Sequence, residues 1–157
     1  MTTPTFLRRG PSEGGQALVE FSLSILIFIV ILMGIFDVGR AIYMYNGVSE
    51  AARDIARRTS IYPNPAIGLG NNYLGNSIQT RAVIDTHLAM VPGMAPVDRT
   101  NFECVDIAGD PSINDSCGSG EAQDYIRVTV HATYEPITLL GLAGPIDLSA
   151  TSTVVVP

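Results

Sequence analysis

The ionisable side chains of this sequence form no pattern typical of a catalytic centre. His87 and His131 are far apart, and neither has an acid or a nucleophile at a spacing that would pair with it. We therefore predict that both histidines are solvated side chains. The sequence has no phosphate-binding glycine loop and no Cys-x-x-Cys pair. The acidic stretch 106–115 offers oxygen ligands for Ca²⁺, but its spacing differs from the EF-hand pattern, and Asp and Asn beside Gly and Pro more simply form turns. We therefore predict no enzyme activity, no metal ion and no cofactor.

The side chain that most needs a chemical role is Glu20, a carboxylate within an apolar run. From Ala17 to Phe36, about 20 residues carry this single charge, and a helix of that length is about 30 Å long, enough to cross a bilayer core. An ionised group costs about 2.5–3.5 kcal/mol at mid-span and less near the interface. Either Glu20 lies among the lipid headgroups, or another subunit supplies a cationic partner. Ala17, Glu20 and Ser24 share a small, polar stripe, which favours helix–helix contact and therefore the second alternative.

Cys104 and Cys117 are the two cysteines of the chain and lie 13 positions apart in a segment rich in Gly, Pro, Asp and Ser. Two thiols alone cannot complete a tetrahedral zinc site, and both histidines are distant in sequence. We predict a disulfide, with two unpaired buried thiols as the alternative. A disulfide implies an oxidising compartment, and closing a loop of this size contributes about 3 kcal/mol in the chain-entropy estimate.

The charge balance excludes one class of partner. The 157 residues carry a formal charge of -6, and because lysine is absent all nine basic residues are arginines. Binding nucleic acid requires clustered basic residues that neutralise phosphates, and the sequence has no such cluster. No nucleic-acid partner is expected. Outside the apolar run and its leader about 120 residues remain, which is enough for one modest domain.

Flanking charges predict how the chain is oriented in a membrane. Arg8 and Arg9 precede the apolar run, whereas the first charges after it are Asp37 and Arg40, so the positive-inside rule places the N-terminus in the cytoplasm. A cleaved signal peptide is the competing interpretation, but the run is longer than such a segment and lacks an A-x-A-like site. The predicted segments are a cytoplasmic leader (1–15), a transmembrane helix (16–38), its extracytoplasmic continuation (39–60) and a small α+β domain with a disulfide loop (61–157).

Beyond the span, helical periodicity continues. Apolar residues recur at three- and four-residue spacing, which predicts one helix from Ala17 to Arg58. These residues are Ile42, Tyr45, Val48, Ala52 and Ile55. A second helix is predicted to begin at Asn76, with Gln79 as its capping-box partner, and to end before Pro92.

The remaining chain is predicted to form strands. Segments 124–134 and 146–156 alternate apolar and polar residues, and 102–107 is a shorter candidate. These strands suit an antiparallel sheet with one face against the outer half of the long helix. The predicted fold is α+β: a single long N-terminal transmembrane helix extends into a small extracytoplasmic domain, in which a second helix packs on an antiparallel sheet.

The N-terminal segment resembles the processing site of type IV prepilins, in which a glycine precedes an apolar helix that carries a glutamate. The resemblance implies that a prepilin peptidase cuts between Gly15 and Gln16, which leaves Glu20 as the fifth residue and Phe21 as the sixth. Where Flp-type pilins of the tight-adherence system carry Glu-Tyr, this chain has Glu-Phe. In that family the glutamate balances the amino terminus of a neighbouring subunit. The implied subunit-assembly residues are Ala17, Glu20, Phe21 and Ser24.

A wider set of motifs is similar to the TadE/TadG-like family, whose members are pilin-like minor subunits of the same system. The motifs are the stretches 15–21 (GQALVEF), 34–41 (GIFDVGRA) and 49–53 (SEAAR), and the resemblance covers about Gln16 to Arg58. It implies a pilin-like fold and a pseudopilin that takes part in assembling a tight-adherence pilus or a related secretion apparatus. The implied partners are other pilin-like subunits, a membrane assembly platform and the prepilin peptidase.

The resemblance also implies a cellular location, and the function that it implies has one alternative. The expected place is the bacterial cytoplasmic membrane, as a single-pass protein with its C-terminal domain outside, or a surface filament assembled from it. The alternative function is a membrane-anchored extracytoplasmic binding module whose helix is a simple anchor. Glu20 distinguishes the two, because a simple anchor would tolerate leucine at that position.

Overall fold

The computed structural model describes residues 13–62, 74–110, 117, 125–137 and 144–156. The predicted leader before residue 13 lies outside the described residues, as do most of the cysteine loop and part of the connection between the last two strands. The elements in chain order are α1 (Glu13–Ile61), α2 (Ile78–Met90), a short 3-10 turn (Arg99–Asn101), β1 (Phe102–Val105), β2 (Tyr125–Tyr134) and β3 (Ile146–Val155). The α+β prediction is confirmed.

Helix α1 is continuous over 49 residues, which corresponds to a length of about 74 Å. It extends beyond the predicted bounds at both ends, and Gly39 and Gly47 do not interrupt it. Up to Phe36 its apolar side chains are exposed, whereas from Asp37 onward one face is covered by the rest of the chain. Val48 and Ile55 on that face are fully buried.

The three strands form an antiparallel sheet in the order β1-β2-β3. Strand β2 is the central one, with Val128 opposite Phe102 of β1 and Tyr134 opposite Ile146 of β3. The predicted alternation is confirmed in β2, whose inward row is buried against α1. This row consists of Ile126, Val128, Val130, Ala132 and Tyr134.

The sheet has one end near the apolar half of α1 and one end far from it. Tyr134, at the end of β2, bonds to Asp37, so β2 runs toward the apolar half and β3 runs away from it. Phe102, near the other end, lies against Gly75 just before α2. We call the end near Asp37 the proximal end and the opposite end the distal end.

Helix α2 packs chiefly against α1 and not on the sheet as predicted. It runs antiparallel to α1, since His87 lies near Asp54 and Val91 lies near Gly47. The predicted cap is wrong, because Ser77 rather than Asn76 is the N-cap. Ser77 has extended backbone angles, and its Oγ accepts a hydrogen bond from Thr80 N at 3.1 Å. The cap therefore lies one residue later than predicted, and Thr80 rather than Gln79 meets it.

The disulfide between Cys104 and Cys117 is present, with a Cα–Cα distance of 5.6 Å, and confirms that prediction. It ties the cysteine loop to β1 near the distal end. Asp106 forms a turn, since its carboxylate accepts from Asp110 N at 2.9 Å. In the described part of the chain, no three His, Cys, Asp or Glu side chains come together as a metal site.

Candidate functional site

The first half of α1 is the largest apolar surface that the described residues leave uncovered. Every residue from 15 to 33 is exposed. The helix is long and apolar enough to cross a membrane, judged by length and composition. Apolar patches of this extent are rare on soluble monomers and mark contact with lipid or with another protein.

The four predicted assembly residues lie together on this surface. A helix turns by about 100° per residue, so Ala17, Glu20, Phe21 and Ser24 fall within an arc of about 100°. All four side chains are exposed. Among the described residues, Glu20 has no hydrogen-bond or ion-pair partner. Within the described residues, Glu20 is therefore a carboxylate on an exposed apolar face with no donor, which is a costly arrangement in a membrane.

Ser22 and Ser24, the two serines of this segment, differ in whether their hydroxyls have a hydrogen-bond partner within the helix. The Ser22 hydroxyl donates to Leu18 O at 2.7 Å, one turn earlier, which satisfies it within the helix. The Ser24 hydroxyl makes no such bond within the described structure, and it lies on the Glu20 face. Ser24 is therefore free to bond across a helix–helix contact, and Ser22 is not.

Gly15 and Gln16, the predicted processing site, lie in the first turn of α1. Apart from its own helical turn, no described residue has an atom within 4 Å of the position where a Gly15 Cβ would stand. A protease needs an extended peptide, and one terminal turn unwinds at little cost because its N–H groups lack intrahelical acceptors. The position is geometrically open to a processing enzyme.

A second site, which the sequence did not reveal, joins α1 to the proximal end of the sheet. Asp37 is only 8% exposed although it directly follows the apolar run. The Tyr134 hydroxyl lies 2.9 Å from Asp37 O and 3.1 Å from Asp37 Oδ1, and Ile137 N donates to the same Oδ1 at 3.3 Å. These donors compensate the carboxylate for the water that it loses on burial.

Arg40 completes this junction. Its guanidinium carbon lies 5.6 Å from the centre of the Tyr134 ring, at cation–π distance. Burial, followed by the hydrogen bond to Asp37, raises the pKa of Tyr134, so the phenol stays protonated and able to donate. A sequence signal did exist, because Tyr134 is the one residue in the inward row of β2 that carries a hydroxyl.

His87 also differs from its prediction as a solvated side chain. Its Nε2 lies 3.3 Å from Asp54 Oδ2 on α1, and the side chain is 12% exposed. The pair joins the two helices across 33 residues of sequence. His131 is exposed, as predicted. Neither histidine is part of a catalytic arrangement within the described residues.

The fold is α+β with a pilin-like arrangement. The first half of α1 is an exposed apolar helix, and its second half packs against a small antiparallel sheet. Residues 15–57 match the family model described as TadE-like protein, which confirms the resemblance seen in the sequence and is consistent with a TadE/TadG-like protein. The match begins at the glycine of the predicted processing site and ends near the close of α1. It includes Asp37 and Arg40 and excludes the sheet.

No curated protein and no solved structure matches the chain. The comparison with known proteins therefore depends on the family model, which covers residues 15–57 and less than half of the chain. The TadE-like family suggests a role in the tight-adherence pilus system. Members of this family are not known as enzymes.

Proposed function

We propose that this protein is a pseudopilin of a tight-adherence pilus or a related secretion apparatus. It would be held in the bacterial cytoplasmic membrane by residues 16–38, with the leader 1–15 in the cytoplasm and the domain 61–157 outside. The segment 39–60 would carry that domain as an extension of the same helix. The observation that carries the proposal is the exposed apolar face on which Glu20 has no partner among the described residues.

Processing and assembly would then be linked. Cleavage by a prepilin peptidase between Gly15 and Gln16 creates an amino terminus one helical turn from Glu20. An ion pair between Glu20 and the amino terminus of a neighbouring subunit is strong in a medium of low dielectric constant. The pair would reduce the cost of placing both charges in the membrane, and Ala17 and Ser24 would permit close helix approach.

The partners proposed on this basis are other pilin-like subunits and a membrane assembly platform. The apolar part of the shared face, including Phe21, packs against lipid before assembly and against helices afterwards. The work of the protein would be assembly through its helix, with the outer domain selecting neighbours. Adhesion or secretion would belong to the completed apparatus.

Glu20→Leu tests this proposal against the simple anchor. The full-length variant is expressed in membranes with the natural apparatus and recovered by chemical cross-linking and affinity purification. We expect normal insertion, but at least about a tenfold loss of cross-linked partner, because one lost ion pair of about 1.4 kcal/mol corresponds to a factor of ten. Ser22→Leu is the matched control, since Ser22 is satisfied within its own helix.

Intact mass of both variants separates processing from assembly. Removal of residues 1–15 in each variant shows that the peptidase acts normally. Wild-type recovery of partners by Glu20→Leu would contradict the assembly role and favour the anchored binding module.

A further inference from the structure

The proximal end of the sheet carries exposed apolar side chains that the assembly proposal does not use. Ile137 is 75% exposed and Ile146 is 45% exposed. They flank the connection between β2 and β3, and Ile146 pairs with Tyr134 in the sheet register. Exposure leaves both isoleucine side chains available for contact with another surface.

The structure fixes the height of these residues relative to α1. Ile137 N lies 3.3 Å from Asp37 Oδ1, and Asp37 directly follows Phe36, the last residue of the apolar run. If the run spans the bilayer, its outer boundary lies at this level. Ile137 is therefore held beside the end of the span.

The neighbouring residues of α1 are of the types that favour a membrane interface. Phe36 and Tyr43 are exposed near the end of the run, and Arg40 is exposed between them. Aromatic rings and long arginine side chains concentrate at the boundary between headgroups and hydrocarbon. The lipid-facing surface of α1 thus continues without a break to the height of Ile137.

Two carboxylates belong to this end of the sheet. Asp147 lies 3.3 Å from the Thr133 hydroxyl, and these two residues lie on the face of the sheet that points away from α1. Glu135, which directly follows β2, lies on the same side by alternation. Both acids are exposed. Since they add negative charge, attraction to anionic lipid does not explain the site, and apolar contact with any fluid bilayer does.

We propose that the proximal end of the sheet is a second membrane contact, with Ile137 and Ile146 resting in the interface of the bilayer that α1 spans. This inference rests on the proposed transmembrane placement of α1. A helix alone permits the outer domain to tilt and rotate above the membrane. A second contact at the same height holds the sheet at one orientation and presents its distal end away from the lipid.

Tryptophan fluorescence tests the contact directly because the chain contains no tryptophan. The full-length protein is reconstituted in phosphatidylcholine vesicles with Ile137→Trp, and the emission is compared with and without brominated acyl chains. Ile107→Trp is the matched control, since Ile107 is 78% exposed near the distal end. Leu26→Trp reports on the span itself.

We expect Ile137→Trp to show blue-shifted emission and about twofold quenching by brominated lipid, as for a side chain buried at the interface. Ile107→Trp should show neither effect. Far-UV circular dichroism confirms that the variants are folded.

Each other outcome overturns the proposal in a distinguishable way. If Leu26→Trp is quenched and Ile137→Trp is not, the second contact is wrong and the span stands. Blue-shifted emission without quenching would show that protein, not lipid, covers Ile137, and the contact would again be wrong. If Leu26→Trp is not quenched, the transmembrane placement itself is wrong.

Discussion

Two carboxylates on one helix have opposite surroundings. Asp37 is buried, and Tyr134 and Ile137 of the same chain provide its donors. Glu20 is exposed on an apolar face and has no partner within the described residues. A buried ionised group requires compensation wherever it lies. Within the described residues, the Asp37 carboxylate beyond Phe36 therefore has its donors in the same chain, whereas the Glu20 carboxylate before Phe36 has none.

The largest contrast in stability is expected at two glycines. Gly93 has a φ of +72°, and an added Cβ would lie 2.4 Å from Thr133 O. Gly93→Ala should therefore lower the free energy of unfolding by about 3 kcal/mol, through strain and displacement of the sheet. Gly34, in the apolar half, has open space around its Cβ position, and Gly34→Ala should not destabilise the protein. Denaturant unfolding of both full-length variants in detergent measures the difference. Equal values would contradict the close packing of Gly93 on β2 and the open surroundings of Gly34.

The two carboxylates give the next contrast. Asp37→Ala leaves the buried hydroxyl of Tyr134 and the N–H of Ile137 without their acceptor, which should cost about 2 kcal/mol of unfolding free energy. Glu20→Ala removes no contact within the described structure and should change that free energy by less than about 0.5 kcal/mol. The same unfolding measurement compares the stabilities of the two variants. A large loss of stability in Glu20→Ala would show that Glu20 has a partner within its own chain.

A smaller effect is expected at Tyr134, and it depends on pH. Tyr134→Phe should cost about 1 kcal/mol, the usual net value of one hydrogen bond. Since the pKa of folded Tyr134 is raised, its contribution is complete below about pH 10, the ordinary tyrosine value, and is lost as pH rises through the folded pKa. Unfolding measured from pH 8 to 11 should show this alkaline loss in the wild type. The same loss in Tyr134→Phe would contradict the assignment.

The sequence was sufficient where structure depends on local periodicity. Helix α1 and strands β2 and β3 follow directly from three- and four-residue spacing and from alternation. The face that contains Ala17, Glu20, Phe21 and Ser24 needed only helical geometry, since no other element positions it. The disulfide was also accessible, because the chain has only two cysteines.

What the sequence did not reveal depends on the tertiary fold. Tyr134 and Asp37 are 97 residues apart, and His87 and Asp54 are 33 apart. No local pattern specifies which strand end will meet which helical turn. The start of α2 was misplaced for a different reason, since Asn76 and Ser77 are both good caps and only the backbone angles distinguish them.

The central claim is that Glu20 pairs with the amino terminus of a neighbouring subunit. Because the chain has no lysine, its amino terminus is the one amine that it can offer to a carboxylate. Membrane-permeable carbodiimide treatment of assembled protein, followed by mass spectrometry of the cross-linked peptides, measures the pairing directly. We predict an amide between Glu20 of one subunit and the amino-terminal residue of another, Gln16 in a contact between two copies. Glu20 recovered only as an unlinked carbodiimide adduct, in protein processed after Gly15, would contradict the account.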